Sequence, residues 1–207
     1  MNEMIQSVQV WEHLDPDPTF SRFRADVYAL LGTLLARAPD RELLQWLAAL
    51  ELDEQEGAAM REAWLVLQLA AQRADEAQLA DEYQELFIGI GRGELMPYGS
   101  WYLTGFLMEK PLVALRNDLG RLGFERQPEV KEPEDHIAAL CQVMALLVHP
   151  DEGHAPHVPR QFFHAYLQPW SRRLFVDMQN ARTAHFYSAV GRFGELFVEQ
   201  ERLLLEG

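Results

Sequence analysis

The sequence predicts an all-α fold of eight or nine helices, arranged in an N-terminal and a C-terminal part joined by a hinge. Three observations predict it. Apolar residues recur at helical i, i+3, i+4 spacing along most of the chain. No run of period-two alternation bounded by turn residues competes with that pattern. And 207 residues that are 48% hydrophobic are enough to bury a substantial core in one domain or two small ones.

The helices follow in order. Phe20, Phe23, Val27, Leu30, Leu31 and Leu34 mark the first. Leu43, Leu44, Leu47 and Leu50 mark the second, after Pro39, which suits a first helical turn. Met60, Trp64, Leu67 and Ala71 give a third, and Leu79, Tyr83, Leu86 and Phe87 a fourth. Leu112, Leu115, Leu119 and Leu122 give another, with Gly123 as its C-terminal cap. Ile137, Leu140, Cys141, Met144, Leu147 and Val148 form the cleanest stripe. Phe162, Phe163, Tyr166, Trp170 and Leu174 line a later helix, kinked at Pro169, and Phe186, Val190, Phe193 and Phe197 line the last. Three segments break this texture: Gly89 to Gly99, Gly123 to Pro133, and Pro150 to Pro159. The second is polar and marks the hinge, dividing the chain into 1–123, a connector 124–132, and 133–207.

Charge narrows the function. Eighteen Lys and Arg against 32 Asp and Glu give a net charge of −14. A nucleic-acid binder needs a basic face to displace phosphate counterions, so nucleic acid is excluded as a partner. Docking on an anionic membrane is excluded on the same ground. A cationic partner, or solubility alone, fits. The longest stretch without an acidic or basic residue is His136 to Pro150, 15 residues, short of the ~20 a membrane-spanning helix needs. No basic residue precedes Arg22, which predicts no secretory signal and a cytoplasmic protein. The single cysteine, Cys141, reads as a small core hydrophobe; one thiol allows no intrachain disulfide.

Four constellations carry candidate chemistry. Gly89-Ile90-Gly91-Arg92-Gly93 has no preceding strand and no following Gly-Lys-Ser/Thr, so it reads as a turn rather than a phosphate loop. Met96-Pro97-Tyr98-Gly99-Ser100-Trp101-Tyr102 crowds three aromatics beside turn residues, which suits either a peptide groove or helix-start packing. Glu132-Pro133-Glu134-Asp135-His136-Ile137 places three carboxylates and an imidazole within five residues. Helix capping alone explains it, with Pro133 in the first turn; the functional alternative is a set of guanidinium acceptors, with His136 titrating near neutral pH. His149, Asp151, His154, His157 and His164 suggest a metal, but they fall in or near a Pro/Gly loop and no Glu-x-x-His is present. No metal and no cofactor are expected.

These segments occur together in one order: Glu82-Tyr83-Gln84-Glu85-Leu86-Phe87-Ile88-Gly89, then Pro97 to Tyr102, then Glu132 to Ile137, then Phe162-Phe163-His164-Ala165-Tyr166-Leu167-Gln168-Pro169-Trp170 and Phe186-Tyr187. The combination resembles the TorD/DmsD/NarJ family of redox-enzyme maturation chaperones over roughly residues 25–201. The resemblance implies a helical chaperone without catalysis of its own. Its partner would be the precursor of a molybdenum-enzyme catalytic subunit. The chaperone would hold its twin-arginine signal peptide, or the apoprotein, until cofactor insertion and export. Carried over by position, the client site would comprise Tyr83, Leu86, Phe87, Pro97, Tyr98, Ser100 and Tyr102, with Glu132, Pro133, Asp135 and His136. The chain departs from the family at Gly89-Ile90-Gly91, often Gly-Pro-Gly, and at Tyr98, a Trp in some members. The resemblance leaves open a monomer or a domain-swapped dimer. Two other classes remain: a stable acidic delta-type assembly subunit of a reductase, and a His-dependent metal-binding helical protein.

Overall fold

A computed structural model describes residues 17–52, 58–126 and 131–206. Among them the chain forms ten α-helices, one or two more than the apolar periodicity predicts. They are α1 Pro18–Ala36, α2 Arg41–Ala48, α3 Ala58–Arg73, α4 Glu76–Tyr83, α5 Gly99–Thr104, α6 Lys110–Arg121, α7 Ile137–Val148, α8 His157–Tyr166, α9 Ser171–Asn180 and α10 Phe186–Glu206. A π-helical turn, Gln84–Ile88, extends α4.

Local chemistry sets the helix boundaries. Asp17, Asp40 and Asp75 cap α1, α2 and α4, accepting from the N–H of Thr19, Leu43 and Gln78 at 3.0, 3.0 and 3.1 Å. Asp40 therefore starts α2, and Pro39 lies just ahead of the helix rather than in its first turn. Gly123 caps α6 as expected. At φ +81 it lets its own N–H reach the Gly120 carbonyl at 3.3 Å and the Phe124 N–H reach that of Leu119 at 2.9 Å, the double closure of a Schellman turn. Pro169 breaks rather than kinks its helix. The segment from Phe162 to Leu174 becomes two helices, α8 and α9, separated by a turn at 167–170.

The predicted stripes face one continuous core. Val27, Leu31, Leu34, Leu67, Ile137, Met144, Phe163, Phe193 and Phe197 are all buried in it. The most extensive packings are α1 on α7 and α10 on α3, which join distant parts of the sequence, and α9 on its chain neighbour α10. Phe20 and Phe23 are exceptions, exposed at the start of α1. The α1–α10 contact also buries an ion pair that periodicity does not reveal. Arg24 grips Glu201 bidentately at 2.6 and 2.7 Å, and the Tyr28 hydroxyl donates to the same carboxylate at 2.9 Å. Burial pushes the Tyr28 phenol well above its ordinary range, so it is a fixed donor. Cys141 is in the core, and burial pushes its thiol up to about 12. No helix among the described residues is long and apolar enough to cross a membrane.

Candidate functional site

The aromatic loop and the acidic run meet at one isolated antiparallel bridge, Tyr98 with His136, 38 residues apart in sequence. The Ile137 N–H donates to the Pro97 carbonyl, and the Gly99 N–H to the Asp135 carbonyl, both at 2.9 Å. Tyr98 is extended, and the chain then turns directly into α5 with Gly99 as its first residue. A Cβ at Gly99 would lie 3.1 Å from the Trp170 indole nitrogen, so a larger residue would require that ring to give by a few tenths of an ångström.

Asp135 caps α5 from across the chain. Its carbonyl takes the Gly99 N–H and its Oδ2 takes the Ser100 N–H at 2.7 Å, satisfying the first two donors of that helix. The residue is only 4% exposed, and its Oδ1 has no hydrogen-bond partner. Asp135 borders a cavity of about 270 Å³ otherwise lined mainly by apolar groups, among them Leu103, Leu115 and Trp170.

The acidic run therefore does not form the first turn of a helix, which corrects the capping expectation. The His136 N–H turns back to the Pro133 carbonyl at 3.1 Å, and α7 begins one residue later with no acid in its first turn. The three carboxylates have three different fates. Glu134 is claimed by α6, accepting from Arg116 at 2.8–2.9 Å. Asp135 is buried as described. Glu132 alone is exposed, and it accepts the Tyr98 hydroxyl.

His136 is the N-cap of α7. Its Nδ1 accepts the Ala138 N–H at 3.1 Å, which requires that nitrogen to carry no proton. Burial lowers its pKa to about 4, outweighing the opposing pull of Glu132 and Asp135. It is thus a neutral, structural imidazole at pH 7, not the near-neutral titrating group its sequence context suggests. Its ring meets the half-buried Tyr98 edge-on at 5.0 Å. Burial, followed by the side-chain bond to Glu132, pushes the Tyr98 phenol well above its usual range. Tyr83 joins this group electrostatically: burial and the Glu132 charge raise it to about 12.

The other predicted residues separate by depth. Leu86, Phe87, Pro97 and Ser100 are buried. Phe87 packs on Tyr83 and Tyr187 at ring distances of 5.0 and 5.2 Å, so it shapes the loop from beneath. Pro133 is half-buried at the turn. Tyr102 lies apart, bonded to Asp177 at 2.8 Å and stacked on Trp170. The connector residues 127–130 lie outside the described part.

The structure adds an apolar ridge that sequence reading misses. Leu103, Phe106, Leu107, Met108 and Val113 are all exposed, Phe106 and Met108 by 68% each. The Met108 N–H donates to Ser100 Oγ at 3.2 Å, which folds the ridge back onto the start of α5. Met108 adopts φ +58, a conformation costing a non-glycine residue on the order of 1 kcal/mol. The available signal was three apolar residues in a row after Gly105, Phe106-Leu107-Met108, with no helical partner spacing. The histidines have separate partners: His149 accepts the Asp151 N–H, His154 lies against Phe124, and His164 contacts Gln168. Among the described residues no three His, Cys, Asp or Glu form a metal-ligand group.

Residues 53–176, which span both strands of the bridge, match the family described as nitrate reductase delta subunit. The chain is similar to the chaperone protein TorD of Aliivibrio salmonicida, 26% identical over 208 residues, covering 91% of this chain and 97% of that one. It is also similar to the Tat proofreading chaperone DmsD of Salmonella typhi, 33% identical over 128 residues, covering 60% and 61% of the two chains. In fold it is similar to a crystal structure assigned to redox enzyme maturation in Archaeoglobus fulgidus, with a TM-score of 0.55, 19% identity, and 85% and 93% of the chains covered. The chain belongs to the nitrate reductase delta subunit family, among relatives named as chaperones rather than enzymes.

Proposed function

We propose that this chain is a cytoplasmic maturation chaperone. It binds the twin-arginine signal peptide of a molybdenum-cofactor oxidoreductase precursor and holds it until cofactor insertion and export. One observation carries the reading. The Tyr98–His136 bridge fixes an exposed carboxylate, Glu132, beside a half-buried aromatic, Tyr98. The same α5 start anchors an exposed apolar ridge, Leu103 to Met108. A twin-arginine signal has two adjacent guanidiniums followed by an apolar stretch, and this surface offers both complements. Glu132 orients the cations while Phe106 and Met108 take up apolar area, which supplies most of the affinity. Tyr83 and Pro133 frame the acidic end. Leu86, Phe87, Ser100, Asp135 and His136 hold the surface in shape from behind.

The family's description as a reductase delta subunit favours a second reading, a stable assembly subunit. Co-expression with a twin-arginine molybdoenzyme precursor separates the two. A chaperone co-purifies with the precursor and is absent from the mature, cofactor-loaded enzyme. Retention on the mature enzyme would establish the subunit reading instead.

A further inference from the structure

The other side of α5 carries a cleft that the signal-peptide reading does not use. Arg92, in the loop before α5, lays its guanidinium over the Trp101 ring, 4.4 Å from the centroid. Arg173, on α9, lies 5.5 Å over the adjacent Tyr102 ring. Both line one open cleft of about 540 Å³, together with Met96 and Asp177. Arginines elsewhere in this acidic chain mostly lie against carboxylates, as Arg22, Arg116, Arg172 and Arg182 do. Arg92 and Arg173 form no ion pair among the described residues.

The acids that border the cleft are already engaged. Asp177 accepts the Tyr102 hydroxyl at 2.8 Å. Glu94 accepts the Arg182 N–H and the Thr183 hydroxyl, each at 2.9 Å. Cation–π contact holds a guanidinium by its face, so the N–H edge of each fork stays available. Such an edge matches a carboxylate in bidentate fashion.

We propose that this cleft binds a peptide carboxylate, held by Arg92 and Arg173, with the residue that carries it resting on Met96 and Trp101. A singly charged carboxylate suits the site better than a phosphate. Glu94 and Asp177 stand in the walls, and repulsion from them scales with the ligand's charge. The carboxylate is either a chain terminus or an acidic side chain.

The test uses the full chain and four probes at low salt: acetyl-glycyl-leucine with a free carboxylate, its C-terminal amide, an amidated glycyl-glutamyl-leucine, and inorganic phosphate. Binding is followed by the Trp101 indole NMR signal, assigned with Trp101→Phe. A saturable shift is expected with one or both carboxylate peptides and none with the amide; which one binds identifies the source. Arg92→Ala/Arg173→Ala should weaken that binding at least tenfold, with an unchanged melting temperature because both side chains are exposed. It should also leave affinity for a twin-arginine peptide unchanged. Equal binding of the amide, binding of phosphate alone, or an unchanged affinity in the double variant would overturn the proposal.

Discussion

Asp135 combines a cap, a turn and a buried charge in one side chain, and its variants separate these roles. Asp135→Ala leaves the Ser100 N–H without its acceptor inside the protein, a loss of about 1–3 kcal/mol in folding stability. Asp135→Asn keeps an oxygen for that N–H and should lose less than half as much. If Asp135 also acts on the client through Oδ1, the asparagine variant weakens peptide binding by about 1.5–3 kcal/mol while melting close to wild type. Parallel titration and melting curves check this, and equal losses would leave Asp135 a purely structural cap. His136 makes a pH prediction. Its folded pKa of about 4 lies below the ordinary 6.5, so the unfolded chain binds the extra proton between those values. The stability it contributes is therefore complete above about pH 6.5 and is lost as pH falls toward 4, on the order of 3 kcal/mol in all. Urea midpoints across that range should show this loss, and His136→Asn, which retains a capping oxygen, should lack it.

Among the elements, the stripes of α1, α3, α6 and α7 were legible because each presents one apolar face to a common core, and a single-residue period reports a face. What periodicity cannot report is a partner. The run 132–136 looks like a helix start because Pro133 and the acids suit a first turn. Its actual bonds go to Pro97, Gly99 and Ser100, which no local pattern encodes. The same holds for Glu201, which sits on an otherwise apolar face of α10 and matches Arg24 across 177 residues. Glu201→Gln would leave that guanidinium buried without a counter-charge. Such a loss costs about 3–5 kcal/mol. The denaturant midpoint should fall accordingly, while Arg22→Ala, which removes only the exposed pair with Asp151, should change it by less than about 1 kcal/mol. The ridge at 103–108 was missed for the opposite reason: its apolar residues have no core to face, so no helical period marks them.

At the scale of the whole molecule, the two halves proposed from sequence share one core. Helix α1 lies on α7, and α3 on α10, across the connector. Limited proteolysis is expected to cut first within 123–133 or 150–159, where the sequence is rich in proline, glycine and polar residues. The fragments should stay associated in native gel filtration and part only in denaturant. First cleavage inside 137–148 would contradict the division. The net charge of −14 adds long-range attraction for a cationic peptide, and this fades as salt rises beyond a Debye length of about 8 Å at physiological ionic strength. The ridge contribution remains. The central claim is that Tyr98, Glu132 and the ridge form one receptor for adjacent arginines followed by an apolar stretch. Isothermal titration of the full chain with a twin-arginine signal peptide, and with the same peptide carrying glutamines at the two arginines, tests it most directly. The account predicts tighter binding of the arginine peptide, and a loss of about 1–3 kcal/mol for Tyr98→Ala with folding stability lowered by less than about 1 kcal/mol. Equal affinity for both peptides, or unchanged affinity in Tyr98→Ala with a large drop in its denaturant midpoint, would contradict it.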